Sequence, residues 1–360
     1  MSSNSNTAPR VLVVGATGIS GQALCRRTLD ARWTTYGLSR SGKTPVDGVI
    51  PVAADLLDRQ SLSDALSEIS PDRVFFTAWM KKDSEQENID VNSATLRNVL
   101  DVLGPGGSVE HVSLMTGLKH YLGPFDAYGK AVMAETPFHE FEPRLDTPNF
   151  YYAQEDELFA GAAKYDFGWS VHRAHTISGF AVGNAMNMIL TLSVYASICA
   201  ELGTPFVFPG SATQWNGLTD LTDADLLAEQ MVWASSDAAG RNEAFNIANG
   251  DVFRWRWMWP RFAELFGVEP EGYRDEPRPL EPRMSDAAQV WKGIADTHDL
   301  VESDVVKLAS WWHTDGDLGR DMECLTDMNK AKKAGFLGFR STPDSIASVV
   351  QRYREARIIP

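Results

Sequence analysis

Cysteine is the first thing this chain has little of: three in 360 residues. Cys25, Cys199 and Cys324 stand at no metal-like spacing. The odd number argues against a disulfide framework and suits packed thiols in a reducing compartment, so the expected location is cytoplasmic. Positive charge is also short. Lys and Arg number 33 against 48 Asp and Glu, a net charge of −15. That argues against nucleic acid or an anionic membrane surface as the main partner, and solubility alone accounts for it. No apolar run of bilayer length occurs. The stretch between Arg173 and Glu201 has no charged residue, but Ser178, Gly179, Gly183, Asn184, Asn187, Thr191 and Ser193 interrupt it. It reads as a loop and a buried helix, Met186 to Cys199, near a ligand pocket, with no membrane span. Met186 and Met188 read as pocket wall or core. Met1 to Pro9 is polar, carries no signal-peptide core and is expected to be a frayed tail. Internal repeats and low-complexity linkers are missing too.

What is present is organised around Arg10 to Leu24. The apolar run Val11-Leu12-Val13-Val14 has the length of a buried strand, and Gly15-Ala16-Thr17-Gly18-Ile19-Ser20-Gly21 turns it into a helical pattern through Gln22, Leu24 and Leu29. The spacing differs from G-x-G-x-x-G, but the physical logic is shared. Gly15 permits the turn, Gly18 lets backbone N–H groups approach a pyrophosphate, and Gly21 lets the helix pack on the strand. The phosphates would lie at the positive end of that helix, with Thr17 and Ile19 beside them. Further strands are expected at 33–38, 49–56, 73–79 (with its loop) and 109–117, then from Asp166 to Val171, with helices between them. This alternation means an α/β fold, a doubly wound parallel Rossmann sheet with a smaller C-terminal substrate-binding region. The expected division is 1–175 for the nucleotide-binding core and 176–360 for the rest, with 205–250 returning partly to the sheet. Most of Trp255, Trp257, Trp259, Trp291, Trp311 and Trp312 read as core of the C-terminal region.

An acid at the end of the second strand usually binds a ribose 2′-hydroxyl, and none is found there. Ser39, Arg40 and Ser41 suit a 2′-phosphate instead, which favours NADP(H). Asp55 and Leu56, at the end of the third strand, can flank an adenine; Asp55 reads equally as a helix cap. Thr77, Ala78 and Trp79 after the fourth strand, Thr116 in the fifth and Ile177 past the sixth complete the expected cofactor contacts.

Nicotinamide enzymes on this fold commonly place a lysine four residues after a catalytic tyrosine. Here that motif is missing. Tyr151 is followed at that spacing by Glu155 and Tyr152 by Asp156, while a lysine occurs earlier, as Lys119. Taken alone, this suggests a dead site or a binding protein.

The residues carrying the departure point elsewhere. Thr116-Gly117-Leu118-Lys119-His120-Tyr121-Leu122-Gly123-Pro124-Phe125 and Asn149-Phe150-Tyr151-Tyr152 with Glu155-Asp156 resemble the progesterone 5β-reductase/iridoid synthase-like enzymes. These are atypical members of the extended short-chain dehydrogenase/reductase superfamily. Residues 243–251 and Gly335-Phe336-Leu337-Gly338-Phe339-Arg340 match as well. The resemblance implies an NADPH-dependent reduction of a C=C bond conjugated to a carbonyl, with tyrosine and lysine at the places of Tyr151 and Lys119. Hydride arriving at the β-carbon leaves enolate charge on the carbonyl oxygen, and one donor aimed there is worth roughly 3 kcal/mol. Motif position alone makes Tyr151 the donor and leaves Tyr152→Phe surface-like in effect. Trp79 matches an aromatic near the family's nicotinamide, with packing as its other reading. Two departures stand out. Ala174 replaces a proline, which suggests a looser turn, and His313 replaces a pocket phenylalanine, which suggests a more polar pocket. The expected partner is a small enone, and a homodimer is compatible with the resemblance. The competing readings are a carbonyl-acting dehydrogenase or nucleotide-sugar epimerase, and an NADP(H)-binding regulator without turnover.

Overall fold

A computed structural model of the chain describes residues 8–124, 135–184 and 186–360. The tail 1–7 and Phe125 of the matching motif lie outside the described residues. Strand β1 (Arg10–Val14) alternates its side chains between two cores. Val11 and Val13 enter one cluster, Leu12 and Val14 the other. Both faces are therefore covered, as a central parallel strand requires. On one side of β1 lie β2 (Thr34–Ser39) and β3 (Ile50–Ala53). On the other lie β4 (Arg73–Phe76), β5 (His111–Gly117), β6 (Gly168–Ala174) and the strand Glu243–Ile247. Every pairing in this seven-stranded sheet is parallel. The strand order reverses between β1 and β4, which opens a crevice beyond their carboxyl ends.

Helix α1 (Ile19–Asp30) and the helix Ala224–Ala234 pack together over one face. Helices α2 (Arg59–Leu66) and α3 (Glu85–Leu103) lie on the other, where α5 (Phe150–Tyr165) packs on α3. A short helix, α4 (Lys119–Leu122), follows β5 directly. The apolar positions of α3 begin at Ile89, and the helix itself starts a turn earlier. Ser84 and Glu87 form a capping box there, so polar residues begin the helix without an apolar face.

The C-terminal region has its own core around α6 (Met188–Leu202), with Trp255, Trp259 and Trp291 buried against it. Trp257 is exposed under the Arg261 guanidinium, and Trp312 faces a cavity, so the tryptophans divide between core and surface. Phe206–Val207 pairs with Pro270–Glu271 in a separate two-stranded sheet and does not extend the main one. The three cysteines are free and buried. Among the described residues no helix is long and apolar enough to cross a membrane.

Candidate active site

The glycine turn is built as its spacing suggests at two of three positions. Gly15 has φ +88°, and a Cβ there would stand 3.0 Å from the Ala78 nitrogen and Thr77 Oγ1. A Cβ on Gly21 would lie 2.1 Å from the Gly15 carbonyl oxygen, so only glycine lets α1 pass this close. Gly18 is under no such constraint, since its Cβ would meet the same oxygen at an ordinary 3.5 Å. It precedes α1 and supplies no side-chain cap. Gly18, Ile19, Ser20 and Gly21 line a cavity, which puts the helix's unsatisfied N–H groups at its wall. That cradle fits a pyrophosphate. Thr17 is exposed beside it and accepts from Gln22 through its carbonyl.

Several expected adenosine-end residues are arranged differently from their reading. Ser39 donates its hydroxyl proton to the Lys43 carbonyl at 2.9 Å and so shapes the loop that carries Arg40 and Ser41. Arg40 and Ser41 are exposed next to it. Asp55 does not cap α2. Asp58 does, through Gln60 and Ser61, while Asp55 Oδ1 accepts from Leu57 N–H in its own turn. The Leu56 side chain is buried in the core, and the neighbouring exposed one is Leu57. Thr77 donates to the Val14 carbonyl, tying β4 to β1. Thr77, Trp79, Thr116 and Ile177 line the same cavity as the α1 N-terminus, and Ala78 lies against Gly15.

Tyr151 and Lys119 also line that cavity, brought together from the first turn of α5 and from α4. Gly117 explains the closeness: a Cβ there would sit 3.3 Å from the Tyr151 hydroxyl. The Tyr151 ring tilts on Phe150 at 4.2 Å, Phe150 stacks on Trp79, and the Lys119 ammonium lies 5.0 Å from the Phe150 centroid. Burial, then the Glu85 carboxylate, push the Tyr151 phenol well above its ordinary pKa. It remains a neutral donor. Tyr152 differs. Its hydroxyl donates to the His120 carbonyl and accepts from Leu145 N–H at 3.0 Å, and the residue is 8% exposed. It is structural, not surface-like as the motif position suggested.

One turn past Tyr151, where a lysine is usual, Glu155 is buried. Its oxygens face Arg144 Nη2 at 2.9 Å, Arg173 Nη2 at 3.5 Å and His120 Nδ1 at 3.7 Å. Burial raises its pKa, but these partners outweigh that and hold it below the ordinary carboxylate value.

Beside the expected His313, two further lining residues were not foreseen. Asp317 and Arg320 line the cavity, with Arg320 Nε donating to the Asp317 carbonyl at 2.8 Å. His313 is buried, and its Nε2 stands 3.8 Å from Asp317 Oδ2. Burial above all lowers its pKa, against the raising effect of Asp317, and so favours the neutral ring. His175 N–H donates to Thr222 Oγ1, and its Nδ1 lies 2.6 Å from Asp220 Oδ1. The turn after Ala174 is therefore pinned, not loosened by the missing proline. Burial would lower the His175 pKa, but Asp220 and Cys324 outweigh it and raise it to about 9. His175 and Asp220 are far apart in sequence and share no local pattern, so spacing gave no signal for them. Met186 lines the cavity, whereas Met188 is core.

A family of PRISE-like Rossmann-fold domains matches residues 59–360. An (S)-8-oxocitronellyl enol synthase of Camptotheca acuminata is 40% identical, over 97% of this chain and 93% of its own. A 3-oxo-Delta(4,5)-steroid 5-beta-reductase of Arabidopsis thaliana is 38% identical, over 97% and 92%. Among solved structures, the UDP-glucose 4-epimerase of Thermotoga maritima has a TM-score of 0.68 at 15% identity, covering 96% of this chain and 99% of that one. The Thermus thermophilus UDP-glucose 4-epimerase in complex with NAD gives 0.67 at 18%, with coverage of 96% and 99%. At such identity these structures share the fold, and nothing about the epimerase reaction carries over.

Proposed function

The chain belongs to the family of PRISE-like Rossmann-fold domains and is an oxidoreductase, and from that premise we propose that it reduces the C=C bond of an enone with NADPH. When bound, NADPH supplies the hydride. The chain's own residues supply the place and the charge complement. The N-terminus of α1 binds the pyrophosphate, and Arg40 and Ser41 lie at the end of β2 where a 2′-phosphate is met. Tyr151 donates its hydroxyl hydrogen bond to the substrate carbonyl. As the β-carbon accepts hydride, the electron pair of the C=C bond moves to that oxygen, and the hydrogen bond strengthens. Lys119 adds positive charge in the same cavity. The α-carbon then takes a proton from solvent, giving the saturated ketone.

One observation carries this reading. Tyr151, a neutral phenol, lines the same cavity as Lys119 and the α1 N-terminus, while the usual lysine position holds a buried carboxylate. The test is product analysis after incubation with NADPH and 2-cyclohexen-1-one. Cyclohexanone supports the proposal; the allylic alcohol would make the chain a carbonyl reductase.

A further inference from the structure

We propose that Asn149 is the positioning residue that fixes Tyr151 relative to Lys119. The inference rests on the reading above and adds a residue that the reading leaves without a role. Asn149 is 2% exposed and precedes α5. Its Oδ1 accepts the N–H of Tyr151 at 3.0 Å. Its Nδ2 donates to the carbonyl of Lys119 at 2.7 Å. A single planar amide thus spans the backbones of both residues. Its orientation is fixed as well, because one partner is a donor and the other an acceptor. Thirty-odd residues separate the two positions, so no local backbone geometry holds them in register. Gly117 sets how near Tyr151 comes to β5; Asn149 sets where α4 lies against the start of α5.

The two halves of the amide separate cleanly by substitution. Asn149→Asp keeps an oxygen for the Tyr151 N–H and remains a good helix cap, but it has no proton for the Lys119 carbonyl. Asn149→Ser also caps and is too short to reach across. A positioning role then predicts that kcat with 2-cyclohexen-1-one falls about tenfold to a hundredfold in both variants, since misplacement of about 1 Å costs that much. KM for NADPH should change less than threefold, and the melting temperature of Asn149→Asp should stay within a few degrees of the parent. Tyr151→Phe is measured beside them. If it is crippled while both Asn149 variants keep kcat within twofold, the positioning role is wrong and the tyrosine reading stands. If the variants lose kcat only in proportion to folded protein, Asn149 is merely a cap, and the inference is again overturned. If Tyr151→Phe is itself unimpaired, the reading beneath the inference fails, and the inference goes with it.

Discussion

Replacing Tyr151 by phenylalanine removes one oxygen and leaves the ring that packs on Phe150 and Gly117. The lost interaction is one donor to a developing oxyanion, typically worth about 3 kcal/mol, which corresponds to a kcat lower by roughly a hundredfold. The loss falls on kcat because the bond strengthens between ground and transition state, and KM for NADPH should hardly move. Activity should not vanish, since a bound water can take the hydroxyl's place. Tyr152→Phe is the internal comparison. It deletes the donation to the His120 carbonyl and the acceptance from Leu145 N–H, leaving buried groups unpaired. That costs about 1–3 kcal/mol of stability. The expected pattern is therefore crossed, with Tyr151→Phe slow and stable and Tyr152→Phe less stable but within about tenfold of normal turnover. Steady-state rates with a saturating small enone, beside urea unfolding of both variants, read it out. A crippled Tyr152→Phe with a nearly normal Tyr151→Phe would refute the assignment of the donor.

Three further outcomes are expected. Arg40→Ala should raise KM for NADPH at least tenfold more than KM for NADH; equal effects on both would remove Arg40 from 2′-phosphate recognition. Gly21→Ala should destabilise the fold by about 3 kcal/mol or more, because its Cβ would collide with the Gly15 carbonyl, whereas Gly18→Ala should cost under about 1 kcal/mol in urea unfolding. His111 and His172 are buried as neutral rings hydrogen-bonded to Ser170, and burial above all lowers their pKa values to about 3 and about 4. In the unfolded chain these rings take up protons near pH 6.5, so their contribution to stability is complete above that pH and falls as the pH drops towards the folded values. The slope approaches about 1.4 kcal/mol per pH unit for each ring, and a flat urea midpoint between pH 6.5 and pH 4.5 would contradict this.

The parts of the molecule legible in the sequence are those whose cause is local. The run from Arg10 through Gly21 carries strand, turn and helix in one stretch, and the structure builds all three there. Elements whose cause is a single polar contact were harder to read. The first turn of α3 depends on the reciprocal bonds of Ser84 and Glu87, and Ser39 points to a neighbour's carbonyl that no periodicity encodes. The part that Asp317 and Arg320 play in the cavity was hidden for a different reason. They reach it through the packing of the C-terminal region, and only His313 nearby carried a pocket expectation. Asn149 stood in the matched motif, yet as a letter it showed only the start of a helix. Its second bond, to the chain at Lys119, exists only in three dimensions.

The buried carboxylate one turn beyond Tyr151 limits what a single substitution can do there. A lysine in place of Glu155 would not simply supply the common Tyr-x-x-x-Lys spacing. It would delete the shared counter-charge of Arg144 and Arg173 and add a third cation beside His120. Removing one member of such a buried set costs about 3–5 kcal/mol, a large part of the stability of most domains. Accommodating a lysine there therefore needs several simultaneous substitutions, each harmful alone. A single substitution at Glu155 breaks the buried set before any replacement charge pattern is in place.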